Sequence, residues 1–152
     1  MTDPDYPTEG RIEAGRHRLP IRVYFEDTDL TGIVYHANYL RYMERARTEM
    51  LRHAGVDHTS AMAARDGFWA VHAMAIIWHR PARLDDRLIV VTTVTNVRAA
   101  ANELHHAVMR GDELLCSASV TAAFLSMDGR PQRQPRSWHD RFTQLCEAAK
   151  AN

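Results

Sequence analysis

Residues Val23 to Leu51 read VYFEDTDLTGIVYHANYLRYMERARTEML, and their pattern changes twice. Val23-Tyr24-Phe25 closes an apolar strand. Glu26 to Tyr35 is a loop with the carboxylates Glu26, Asp27 and Asp29 and one glycine, Gly32. From about Asn38 the period becomes helical. On a helical wheel Tyr39, Met43, Ala46, Met50 and Ala54 share one side, flanked by Leu40 and Leu51, while Arg41, Arg45, Thr48, Glu49 and Arg52 share the other. Asn38 suits the N-cap and Gly55 the C′ position. Arg47 falls within the apolar stripe and Glu44 at its edge. Three residues apart, they read as a partly buried pair, either structural or lining a substrate site. A strand that delivers acids into a loop ahead of a helix sets carboxylates beside free backbone N–H groups and a positive dipole end. That is a common layout for a catalytic site.

Outward from this stretch, Met1 to His17 is polar, with Pro4, Pro7, Gly10 and Gly15, and reads as a flexible tail. Arg18 to Phe25 alternates as a short strand. Val56 to Gly67 has the composition of a short helix capped near Thr59 or Ser60. Phe68 to His79 is a strand with Phe68, Ala70, His72, Met74, Ile76 and Trp78 expected on one face and Trp69, Val71, Ala73, Ala75, Ile77 and His79 on the other. Both faces are largely apolar, which predicts cover on both. Leu88 to Val97, Asn102 to Arg110 and Leu114 to Leu125 are further strands, with a hairpin turn at Gly111-Asp112. Ser137 to Ala149 reads as a final helix. Short turns between successive strands imply an antiparallel sheet. The expectation is α+β: five strands, curved and antiparallel, wrapped around a long central helix. One domain spans 18–136, preceded by the tail at 1–17 and followed by a helix at 137–152 packed on it.

A chain of 152 residues with zero formal net charge fits one such domain and gives no reason to invoke nucleic acid or a membrane surface. Lys150 is the single lysine among 19 cationic side chains, so the positive charge is nearly all planar guanidinium. No apolar run is long enough to span a bilayer, and Cys116 and Cys146 share no motif. A cytoplasmic protein with reduced thiols is expected. There is no CxxC, HExxH, P-loop or GxGxxG. Among nine histidines, His105 and His106 point to opposite faces of one strand, as do His72 and His79. No metal site and no cofactor are expected.

The run EDTDxxGIVYHANYLRYxERARTEML resembles the hotdog-fold acyl-CoA thioesterases of the 4-hydroxybenzoyl-CoA thioesterase family, and within it the YbgC type associated with the bacterial Tol-Pal system. The likeness continues through Pro81-Ala82-Arg83-Leu84-Asp85-Asp86 to about Pro135. It implies a hotdog fold, a homodimer with a continuous sheet or a homotetramer, and a substrate that is an acyl-CoA or an acyl carrier protein thioester. It implies Asp29, the second aspartate of the Asp-x-Asp pair, as the catalytic carboxylate, attacking directly or activating water. The His36 backbone N–H is the implied oxyanion donor. Its side chain assists by donating to substrate or orienting Asp29. Gly32, which permits a tight turn, and Tyr35 are the expected substrate contacts. Asp27 is expected to bond turn amides and Glu26 to be solvated. Thr31 stands where such sequences often carry glycine, a departure that bears on substrate preference. Arg80, Arg83, Arg98, Arg130, Arg133 and Arg136 are candidates for the carrier's phosphates. Trp69 is a core residue or a limit on acyl length. A second reading is a binding scaffold in envelope lipid metabolism with weak or no hydrolysis.

Overall fold

In the computed structural model, which describes residues 3–57, 59 and 64–152, strands β1 (Arg11–Glu13) and β2 (Arg16–Arg22) precede helix α1 (Asn38–His53). Four strands follow, β3 (Phe68–Trp78), β4 (Arg87–Val97), β5 (Ala101–Arg110) and β6 (Glu113–Leu125), and then α2 (Arg136–Lys150). All strands join one antiparallel sheet in the order β1-β2-β4-β5-β6-β3.

Among the described residues the sheet has six strands, not the expected five. The extra one lies in the stretch read as a flexible tail. Ala14 and Gly15, at φ 53 and +79, turn β1 onto β2, and His17 on β2 is buried. A Cβ on Gly15 would sit 2.4 Å from the Ala149 backbone nitrogen, so only glycine lets this turn lie against the end of α2. Prolines and glycines, with no period of two, hide the strand in the sequence. The expected short helix within Val56 to Gly67 falls largely outside the described residues.

β5 alternates as read, and β4 and β6 do so up to register shifts at Thr95 and Leu115, the latter burying Leu115 and Cys116 in succession and leaving Leu114 exposed. Val90 opposes Val108, Thr92 opposes His106, and Leu104 opposes both Val94 and Val120, all on one buried face. Against this inner face lie Tyr39, Tyr42, Met43, Ala46, Arg47 and Met50 of α1, and Phe142, Leu145, Cys146 and Ala149 of α2. Each fully buried large side chain of this set stabilises the fold by about 1.5–3 kcal/mol. Gly55 at φ +86 ends α1 as expected. The N-cap differs. Ala37 holds that position without a side-chain cap, and Asn38 is the first helical residue, its amide donating to the Asp27 carbonyl at 2.8 Å.

β3 departs most from its reading. It is an edge strand, and Phe68, Val71, Ile77 and Trp78 are exposed rather than covered. It also carries a bulge. Val71 opposes Ala122 and Ala73 opposes Thr121, leaving His72 as the extra residue. Side-chain parity therefore switches. Trp69 and Val71, then Met74, Ile76 and Trp78, share the inner face, opposite Phe124, Ala122, Val120, Ala118 and Cys116 in turn.

No helix among the described residues is long and apolar enough to cross a membrane. Among them, no group of His, Cys, Asp and Glu is placed to hold a metal ion.

Candidate active site

Between β2 and α1 the acidic loop folds into a small hairpin. Thr28 bridges Val34, the Asp29 N–H donates to the Ile33 carbonyl at 2.9 Å, and the Gly32 N–H returns to the Asp29 carbonyl at 3.1 Å. Gly32 at φ +80 makes the tip, where an added Cβ meets nothing within 4 Å. Conformation, rather than space, is what asks for glycine here. The hairpin is fastened to the strand stub ahead of β4 by the Ile33–Arg83 bridge and by the Val34 N–H on the Ala82 carbonyl at 2.9 Å. The Tyr39 hydroxyl accepts from the Ala82 N–H at 3.0 Å, tying this stub to the first turn of α1.

Within that frame the two aspartates do different work. Asp27 is buried, and its Oδ2 accepts the Tyr24 N–H at 2.8 Å. It therefore closes the turn, as read. Burial first, then the Asp27 charge, hold the Tyr42 phenol above its ordinary value, so this tyrosine stays neutral. Asp29 is exposed. Its Oδ1 accepts both the Thr31 hydroxyl, at 2.5 Å, and the Thr31 N–H, at 2.8 Å. These bonds, with a smaller contribution from the nearby His36, hold the carboxyl below its ordinary range. Asp29 is thus an ionised carboxylate with Oδ2 open. Thr31, where glycine was the expected pattern, is the group that orients it.

His36 sits at the mouth of α1. Its backbone N–H has no acceptor among the described residues. Its carbonyl accepts the Trp78 indole N–H at 3.0 Å, and its ring lies between Tyr35 and Trp78, at centroid distances of 4.5 and 5.9 Å. The open N–H and the helix dipole suit a developing negative charge. Asp29, Gly32, Tyr35 and His36 are thus gathered on one hairpin and its exit. Trp78 and Tyr39, read from sequence only as strand and helix-stripe positions, and Thr31, read only as a departure from glycine, complete the frame. Trp78 escapes a fuller reading because the bulge decides which face it occupies.

A cavity of about 370 Å³ lies elsewhere, between α1, α2 and the inner face of β3, β5 and β6. Trp69, Val71, Phe124, Trp138 and Phe142 give it apolar walls, and Glu44 and Arg47 give it a polar corner. Trp69 packs on Phe124, Trp138 and Phe142 as part of this aromatic wall. No residue of the acidic hairpin lines it. Glu44 and Arg47 are paired as expected, with Arg47 buried.

Residues 23–149 match the family model described as Thioesterase-like superfamily. The chain belongs to this superfamily. The thioesterase is 39% identical to the acyl-CoA thioester hydrolase YbgC of Escherichia coli O6:H1, over 84% of this chain and 96% of that one. Among solved structures it resembles a probable thioesterase from Bartonella henselae, at 35% identity and a TM-score of 0.74, covering 79% of this chain and 99% of that one. A 1,4-dihydroxy-2-naphthoyl-CoA thioesterase from Synechocystis, at 21% identity and a TM-score of 0.79, covers 86% of this chain and 97% of that one and shares the fold. The thioesterase fold is therefore the hotdog type expected, with the additional strand.

Proposed function

We propose that the protein hydrolyses acyl-CoA thioesters to free acid and thiol, with Asp29 as the catalytic carboxylate and the His36 N–H as oxyanion donor. One observation carries the reading. An ionised, solvent-facing carboxylate is held on the same hairpin that leads into a helix mouth with an unused N–H. The YbgC relative of Escherichia coli, named as an acyl-CoA thioester hydrolase, supports the substrate class. In the water route Asp29 takes a proton as water adds to the thioester carbon, and the C–S bond then breaks to release thiolate. In the direct route an Asp29 oxygen adds instead, giving an anhydride that water cleaves. In both, negative charge develops on the carbonyl oxygen facing the His36 N–H. Removing such a donor costs about 2.7–4 kcal/mol of barrier. Gly32 lets the backbone approach the thioester, and the Tyr35 ring shields it.

The working unit in this proposal is a homodimer or a dimer of dimers. The exposed apolar edge of β3 supports it, because such an edge invites a second strand. Antiparallel pairing of two β3 strands about their midpoint sets Phe68–Val71 of one copy beside the Trp78 end of the other. The cavity behind Trp69 and Val71 then receives the acyl group whose thioester lies at the partner copy's hairpin.

Free-thiol release from acyl-CoAs, running from short aliphatic through long-chain to hydroxybenzoyl, tests the activity. Hydrolysis of one class by wild type, lost in folded Asp29→Asn, is expected. No release from any member by wild type overturns the reading in favour of a binding scaffold. Light scattering reads the assembly, and a monomer would remove the shared cavity.

A further inference from the structure

We infer that Arg22 and Arg87 form a binding site for the phosphorylated nucleoside end of CoA, an inference that rests on the acyl-CoA reading above. The two residues are direct partners in the β2–β4 ladder. Both are exposed, and both point to the outer face, since their neighbours Val23 and Leu88 are buried. Like charges directly opposite one another destabilise a sheet. Neither guanidinium has a hydrogen bond or ion pair among the described residues. The acids at this corner are engaged elsewhere. Asp86 and Glu113 both bind Arg110, and Glu113 also binds Arg80. Among the described residues, the Asp85 side chain has no ion pair with either arginine, and its backbone N–H donates to the Val23 carbonyl.

The surroundings fit a particular ligand. Arg22 and Arg87 border a concave site of about 550 Å³, with Pro20 and Ile89, also ladder partners, two residues further along the same face. Gly111 edges the site, and a Cβ there would meet open space. Two planar forks side by side match phosphate oxygens. Proline and isoleucine beside them offer a flat apolar floor for a heterocycle. A phosphorylated nucleoside has both halves; a bare pantetheine arm has neither.

The position also suits a carrier whose thioester lies at Asp29. From Asp29 the structure steps to Ile33, across the bridge to Arg83, and along the turn to Arg87. Two strand spacings and four residues span at most about 25 Å. An extended pantetheine arm covers a separation of this order. The apolar floor suits a heterocycle, which an acyl carrier protein's phosphopantetheine lacks, and so favours CoA as the carrier.

Calorimetric titration with adenosine 3′,5′-bisphosphate tests the inference on wild type, Arg22→Ala, Arg87→Ala and Arg22→Glu. In parallel, kcat/KM is measured for an acyl-CoA and for the same acyl group on N-acetylcysteamine. Wild type is expected to bind the bisphosphate, and each substitution to weaken binding roughly tenfold to a hundredfold, as for loss of a charged hydrogen bond. The acyl-CoA to N-acetylcysteamine ratio should fall by a similar factor, mostly through KM. No binding to wild type at millimolar concentration, equal binding by the variants, or an unchanged ratio overturns the site. If wild type hydrolyses neither thioester, the activity reading fails, while the titration still decides whether the arginine pair binds the nucleotide.

Discussion

Arg47 Nη1 lies 3.0 Å from His106 Nε2, inside the core between α1 and β5. A guanidinium only donates, so Nε2 must accept and the proton sits on Nδ1, which faces Thr92 Oγ1 at 2.9 Å. Burial, reinforced by the fixed Arg47 charge, pushes His106 down to about 3. An unfolded histidine titrates near 6.5.

Stability should therefore depend on pH through this residue. Between about pH 6.5 and 3 the unfolded chain takes a proton that folded His106 refuses. Stability is full above this window and is lost as pH falls, by up to about 1.4 kcal/mol per pH unit. Urea midpoints from pH 7 to 4 should show the slope, and His106→Gln should make it shallower. His17, also lowered by burial, keeps part of it. An identical slope in wild type and His106→Gln would contradict the assignment.

Asp29→Asn should lower kcat about a hundredfold or more while the thermal midpoint stays within a few degrees, because the side chain is exposed and supports no packing. The same carboxyl gives a pH signature. Held down by Thr31, it stays ionised below the usual range, so the acid limb of kcat/KM should lie below the ordinary aspartate value of about 3.9. Thr31→Ala should move that limb upward. A limb unmoved by Thr31→Ala would remove Asp29 as the titrating group.

Trp78→Phe keeps an aromatic ring beside His36 but removes the indole donor from its carbonyl. One neutral hydrogen bond is worth about 0.5–1.5 kcal/mol. A drop in kcat of about twofold to tenfold is expected, with KM little changed, since the bond positions the oxyanion donor rather than the carrier. A rise in KM alone would place Trp78 in substrate binding instead.

Ala122 lies on the inner face of β6 and lines the aromatic cavity. Ala122→Leu should fill part of that space. The ratio of kcat/KM for the longest accepted acyl-CoA over a short one should fall about tenfold, the scale of a few lost methylene contacts. Equal losses across chain lengths would instead report damage to the fold.

Much of this was legible in the chain, and the failures have physical causes. The helix stripe from Tyr39 to Met50, the β-branched β4 and the alternating β5 follow from periodicity, since one face of each is buried. The buried Arg47 showed itself by interrupting an apolar stripe. Asp29 was legible through its motif, whereas its partner Thr31 read only as a missing glycine, because a hydroxyl aimed at its neighbour leaves no periodic trace. β1 was hidden because a three-residue edge strand needs no hydrophobic alternation. β3 defeated the reading twice. Its open edge looks like a covered one when both faces are apolar, and its bulge lacks the glycine that often marks such sites.

That bulge makes β3 a strand with two grammars. Up to Val71 odd-numbered residues face the helices, and from Ala73 onward even-numbered ones do. His72 thus acts as a frame shift in the strand, and Trp78 reaches the His36 carbonyl only downstream of it. Removing His72 itself would make the ladder regular and leave both the aromatic wall at Trp69 and the clamp at Trp78 facing inward, whereas a one-residue loss between the bulge and either end, with the bulge kept, turns that end outward. The bulge is therefore the point at which β3 can change length without turning either end, and the cavity and the helix mouth each depend on the residue count between themselves and His72.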